Sequence, residues 1–246
     1  MLYRFQDIFV TINGSGIACT SAGISFENSL DADRTVYDNI NYKASNGTAG
    51  ALTIEYYVTG KDFLYEQAKD IYSLNKISGN FAGLYFSSGY ISSHSIDVVN
   101  NNLVLANCAI TFYDELKGEI TTGNVDYGDF TVGHAARSYA SNNLGVGNDF
   151  RFSLSNNLKY SIDYKATSHI PRSIKRNSIE TNFSIQGNNI GNFVYWSGES
   201  GVAELTIANH RGEPLQSYGI TGQVVRKNVE VNGEFIVGSV NIIQVR

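Results

Sequence analysis

The residue types best suited to chemistry are scattered along this chain. Four histidines, His94, His134, His169 and His210, sit in turns or polar strand contexts, with no HxH, HExxH or cysteine neighbour at metal-ligand spacing. Histidines in such settings are surface or hydrogen-bonded groups. Asp31 and Asp33 stand two apart, as in a calcium or glycosidase carboxylate pair, but two acids in a polar loop are ordinarily solvated. Gly145-Val146-Gly147 lacks the third glycine and the following helix that a dinucleotide loop requires, and neither GxSxG nor a Walker loop occurs. Lys165, Arg172, Lys175 and Arg176 gather enough charge to touch phosphate, yet no aromatic residue is interleaved with them, which favours a protein contact or a solvated loop. None of this amounts to a catalytic constellation. The sequence predicts no enzyme, no cofactor and no metal site.

The elements that would position any site are β-strands. The 246 residues include 12% aromatics, 24 Gly, 2 Pro and 17% charged residues, a profile of strands and many turns. Net charge is -5 and uneven: the first 120 residues hold 7 Lys and Arg against 13 Asp and Glu, the rest 11 against 10. An acidic balance argues against gripping nucleic-acid phosphates, although it suits a surface along which a nucleic acid slides. Cys19 and Cys108 lie in apolar alternating contexts without a CxxC partner, so buried free thiols are expected rather than a disulfide. The first residues lack a signal-peptide pattern and no apolar run nears about 18 residues, so neither secretion nor a membrane span is expected.

Alternation predicts a strand pair around the turn at Asn13-Gly14, then a protruding loop or hairpin over 27–50. In ALTIEYYVTG, Leu52, Ile54, Tyr56 and Val58 share one face. After Gly60 the period changes, and Asp62 caps an expected helix over 62–74 with Phe63, Leu64, Ala68, Ile71 and Tyr72 as its apolar stripe. Residues 77–86 resume strand character. Gly89 to Tyr113 then form a long hairpin turning at Asn100-Asn101-Asn102, with Val104, Ala106, Cys108, Ile110 and Phe112 on its dry face. Residues 116–148, rich in Gly, Asn and Ser, read as a linker. Strands return at 150–154 and 158–164, before a basic loop.

Two stretches of the second half look like copies of the first. In SIETNFSIQG, Ile179, Thr181, Phe183 and Ile185 match Leu52, Ile54, Tyr56 and Val58 at an offset of 127 residues. In QVVRKNVEVNGEFIVG, Val229 to Val237 match Val104 to Phe112 at 125. A shared offset is what an internal duplication produces, and chance likeness of generic strands is the alternative. The expected fold is therefore all-β and mainly antiparallel. It consists of two tandem β-sandwich or barrel modules, 1–115 and 149–246, with one short flanking helix in the first. Opposite the core faces, Glu55, Asn107, Glu180, Asn182, Glu230, Asn232 and Glu234 form wet faces free of Lys and Arg.

The strand ending at Gly60, the single helix, and the run SGNFAGLYFSSGYISSHSIDVVNNNLVLANCAITFYDE give residues 50–115 an order that resembles bacteriophage tail tube proteins and the inner tubes of contractile injection systems. The resemblance reaches the second half only through the repeat, whose helix is missing. It implies a virion structural protein that self-associates into stacked rings forming a channel for DNA. Such a ring holds either three chains with pseudo-six-fold symmetry or six. It implies further contacts with sheath, baseplate or tape-measure proteins, no membrane partner, and assembly in the host cytoplasm into the virion tail. On this reading the seven wet-face residues line the lumen, and Asp33, Arg34, Tyr37, Asp38 and Tyr42 mark a loop between subunits or rings. The rival expectation is a β-sandwich binding module, carbohydrate-binding or an adhesin or baseplate component, with Tyr195 and Trp196 as a stacking platform.

Overall fold

The computed structural model describes residues 8–34, 40–70, 74, 76–99, 102–123, 132–140, 150–164, 170–187, 200–208 and 213–246. In chain order the elements are β1 (Val10–Ile12), β2 (Ser15–Gly16), β3 (Cys19–Arg34), β4 (Ile40–Tyr57), α1 (Phe63–Lys69), β5 (Ile77–Phe81), β6 (Leu84–Val99) and β7 (Leu105–Phe112). They continue with β8 (Val132–Ala140), β9 (Phe150–Tyr164), β10 (Pro171–Gly187), β11 (Ser200–Ala208), β12 (Pro214–Asn232) and β13 (Phe235–Val245). The fold is all-β and antiparallel, with α1 the one helix among the described residues.

The expected hairpin is present: β6 and β7 pair from Gly89 opposite Phe112 to Asp97 opposite Leu105. The region expected as one strand over 77–86 is two, because Ala82 and Gly83 take φ of +51° and +92° and turn β5 back onto β6. The helix begins where the sequence places it, with Asp62 accepting from the Tyr65 amide at 3.1 Å, and it buries Leu64, Tyr65 and Ala68. It runs only to Lys69, and Ile71 and Tyr72 lie outside the described residues. The polar stretch 27–50 is the outer part of the β3–β4 hairpin.

Strand order links the whole chain. β3-β4-β7-β6 in the first half and β9-β10-β13-β12 in the second are wound alike, and β6 pairs with β9 over seven residue pairs, from Ser93 opposite Asn157 to Val99 opposite Arg151. Both halves thus belong to one sheet. β11 and then β8 extend it beyond β12, while β5, β1 and β2 extend from the first part of β6.

Three expectations are corrected. The stretch 116–148 contains a strand, β8, paired with β11, where a linker was expected. The basic loop is largely strand: Arg172, Lys175 and Arg176 belong to β10, and Arg176 donates to the carbonyls of Gln67 and Asp70 at the end of α1 and lies 5.7 Å from the Tyr160 ring. Those carbonyls have no partner within the helix, so they recruit a guanidinium. The third concerns Val229 to Val237, which is not one strand. The chain turns at Gly233, with φ of +62°, and Val231 comes to face Ile236. The two-residue turn Gly233-Glu234, with glycine at its first position, overrides an alternation that continues through it.

One dry face runs the width of the sheet. Tyr56, Ala106, Ile96, Leu154, Phe183, Ile242 and Val224 are successive cross-strand neighbours, and all but Val224 are buried. Full burial of a side chain the size of Leu, Ile or Phe is worth about 1.5–3 kcal/mol of transfer free energy, so this stripe is one substantial part of a larger core. Phe86 and Phe112 stack at 4.4 Å, with Phe26 6.1 Å from Phe112. Cys108 is buried, Cys19 is half-buried, and both are free thiols.

Candidate functional site

The other face of the same sheet is polar. Direct cross-strand neighbours run Ser21, Glu55, Asn107, Ser95, Ser155, Asn182, Ile243 and Gln223, across eight strands with one apolar member. The adjacent row reads Leu105, Asp97, Ser153, Ser184, Asn241 and Arg226. Strand alternation dictates this from β4 across to β10, where buried residues flank each of these positions along its strand and leave it no other direction. Short Ser and Asn side chains keep the surface low. Where β6, β9, β10 and β13 meet, it dips into a groove of about 310 Å³ lined by Ser95, Asp97, Asn107, Arg151, Asn182 and Asn241.

Hydrogen bonds hold these groups in the plane of the sheet. Thr20 donates to Glu55 Oε2 at 2.7 Å, Asn182 donates to Glu180 Oε1 at 3.1 Å, and Ser184 donates to Asn241 Oδ1 at 2.9 Å. Arg151 grips Asp97 through two bonds, 2.6 and 3.2 Å long. The guanidinium is held above its usual pKa first by that hydrogen bond and then by the charge of Asp97.

Glu55, Asn107, Glu180 and Asn182, expected together, are brought onto this one face. Glu230, opposite Val237, keeps the same parity, and Asn232 ends β12 opposite Phe235. Glu234 sits in the turn that follows and belongs to neither strand face. The expectation that the face carries no Lys or Arg is corrected: Arg151, Lys159 and Arg226 lie on it beside Glu27, Glu55, Asp97, Glu180 and Glu230. Sequence reading missed Ser95, Asp97, Arg151, Ser153, Ser184 and Asn241. Alternation in Ser93, Ser95 and Asp97 was the available signal for the first two. Asp33, Arg34 and Tyr42 lie on the β3–β4 hairpin, at pairs Asp33–Asn41, Arg34–Ile40 and Ala32–Tyr42. Tyr37, Asp38, Tyr195 and Trp196 lie outside the described residues.

A second polar group lies inside the fold. The Asp62 carboxylate is buried and accepts from the Tyr65 amide (3.1 Å), Tyr56 (3.0 Å), Tyr218 (3.2 Å) and His94 Nε2 (3.1 Å). Burial opposes its charge, but the His94 imidazole, the Tyr65 amide and the Tyr56 hydroxyl outweigh that and hold the carboxyl below its ordinary range. Burial first, and the charge of Asp62 second, push the phenols of Tyr56 and Tyr218 well above theirs, so both stay protonated donors. With all four acceptor positions of the carboxylate filled, this group joins α1 to β4, β6 and β12 and presents no free base.

Among the described residues no three His, Cys, Asp or Glu side chains are placed to hold a metal, and no helix is long and apolar enough to cross a membrane. Neither a protein-family model nor a characterised protein sequence matches the chain.

Proposed function

We propose that the chain is a tail tube subunit, a structural protein of a virion that assembles into stacked rings around a channel for DNA. The observation that carries this reading is the continuous polar face, eight strands wide, set on a sheet whose opposite face is packed. On a broad surface of Ser and Asn, five acids outnumber three basic residues, one of which, Arg151, is tied to Asp97, so the face as a whole repels a polyanion. Such a wall lets a duplex pass.

On this reading Glu55, Asn107, Glu180, Asn182 and Glu230 face the lumen, and Asn232 and Glu234 stand at the hairpin end that borders it. The β3–β4 hairpin, with Asp33, Arg34 and Tyr42, reaches a neighbouring subunit or ring, and Tyr37 and Asp38, which lie between those strands in sequence, belong to the same contact. The like winding of the two halves supports a duplicated module and hence three chains per ring rather than six. Sheath, baseplate or tape-measure proteins are the further partners.

Negative-stain microscopy and light scattering of the purified chain test the reading. Rings or tubes of uniform bore, three chains to a ring, are expected. A monodisperse monomer at high concentration overturns it.

A further inference from the structure

The two hairpins of the second half leave the sheet at opposite ends. The ladder between β10 and β13 runs from Glu180 opposite Val245 to Gly187 opposite Gly238. Past its first end β9 and β10 go on pairing with each other as far as Tyr164 opposite Pro171, and past its other end β12 and β13 go on to Asn232 opposite Phe235.

The two projections match side for side. On the side that continues the dry face of the sheet, Ile162 lies opposite Ile174 in the β9–β10 hairpin, and Val231 lies opposite Ile236 in the β12–β13 hairpin. Ile162, Val231 and Ile236 are 36%, 76% and 50% exposed, so each projection offers apolar surface to a partner. On the other side the charges are opposite. The β9–β10 hairpin presents exposed Lys159 and Lys175, with Asp163 the one acid beside them. The tip of the β12–β13 hairpin, 229–236, presents exposed Glu230 and Glu234 and contains no Lys or Arg, while Arg226 and Lys227 lie back toward the sheet.

Unlike surfaces at opposite ends of one molecule make a head-to-tail contact that repeats without closing. A stack generated by rotation about one axis and translation along it keeps each face of the sheet on its own side. Copies set end to end therefore bring Ile162 toward Val231 and Ile236, and Lys159 and Lys175 toward Glu230 and Glu234, pairing apolar with apolar and positive with negative.

We propose that the β9–β10 hairpin of one copy docks end to end on the β12–β13 hairpin of a second copy. The proposal rests on the tube reading and supplies a contact between its successive rings.

The test uses the full chain in two double variants, Lys159→Glu with Lys175→Glu and Glu230→Lys with Glu234→Lys. All four side chains are exposed, so thermal melts should match wild type. Sedimentation velocity and negative-stain microscopy should show rings of wild-type size whose stacking is weakened about tenfold or more in each variant. The chain with all four substitutions sets Glu against Lys again, and its tubes should recover to within about threefold of wild-type length. In a second measurement, Ile162→Cys and Val231→Cys chains carrying different tags are assembled together under mild oxidation, and mass spectrometry should find the 162–231 disulfide between them. Wild-type stacking in both double variants, or tubes without that disulfide, overturns the contact and leaves the tube reading standing. Wild-type rings that never stack overturn the contact too, and a wild-type chain that stays monomeric at every concentration overturns both.

Discussion

The hydroxyl of Tyr218, on β12, lies 3.2 Å from Oδ2 of Asp62, the N-cap of α1. The bond joins residues 156 apart in sequence and ties the helix of the first half to a strand of the second. The Tyr65 ring packs 4.6 Å from that of Tyr218, and its hydroxyl accepts from the Gly219 amide at 3.1 Å. Removing the phenol oxygen leaves a buried carboxylate one donor short. Tyr218→Phe is therefore expected to cost about 1.5–3 kcal/mol in urea unfolding, with native circular dichroism retained. A change under 0.5 kcal/mol would show that the bond adds nothing.

Acid should loosen the same joint. Because the folded-state pKa of Asp62 lies below its unfolded value of about 3.9, its contribution is fully present above that value and is lost as pH falls through the folded one. The urea midpoint should drop on acidification below about pH 4. Asp62→Asn should lower stability at neutral pH by about 3–5 kcal/mol and flatten the acid-side slope. An unchanged slope in that variant would assign the acid sensitivity to other carboxylates.

Two glycines make room for the phenylalanine stack. A Cβ at Gly50 would lie 2.1 Å from the Phe112 ring, and one at Gly79 would lie 2.3 Å from that of Phe86. Neither ring has space to retreat, since the two stack on each other. Gly50→Ala and Gly79→Ala should each cost about 1–3 kcal/mol or more, read as a lower melting temperature. Gly14→Ala meets no neighbouring atom, and only its φ of +80° is strained, so its smaller loss is the comparison.

The thiols should be silent in the native state. Burial pushes the pKa of Cys19 to about 12 and that of Cys108 well above its ordinary value. Ellman's reagent at pH 8 should therefore titrate neither residue quickly, and both after denaturation. Rapid reaction of one native thiol would place Cys19 in a more open setting.

Local rules in the sequence reached the elements and faces that neighbours in the chain decide. Asp62 announces the start of α1, and strict alternation in Val104 to Phe112 places Asn107 opposite the core and beside Glu55. What stayed hidden depends on partners distant in sequence. That β9 would join β6, bringing Arg151 onto the polar face, has no local signature, because an edge looks alike whether paired or open. Arg176 sits in a basic run typical of a loop, yet the carbonyls of α1 draw it into a strand. The turn at Gly233-Glu234 was signalled by its glycine and masked by the valines around it.

The pairing of β6 with β9 also sets a timetable for synthesis. Asp97 emerges from the ribosome 54 residues before Arg151, a delay of about 3–11 s at translation rates of about 5–20 residues per second. Throughout that interval the stretch of β6 from Ser93 to Val99 lacks its β9 partner on a nascent chain surrounded by identical ones. Asp97, lying in that edge, places a charge where a stray strand would otherwise bind, and Arg151 neutralises it only when the proper strand arrives.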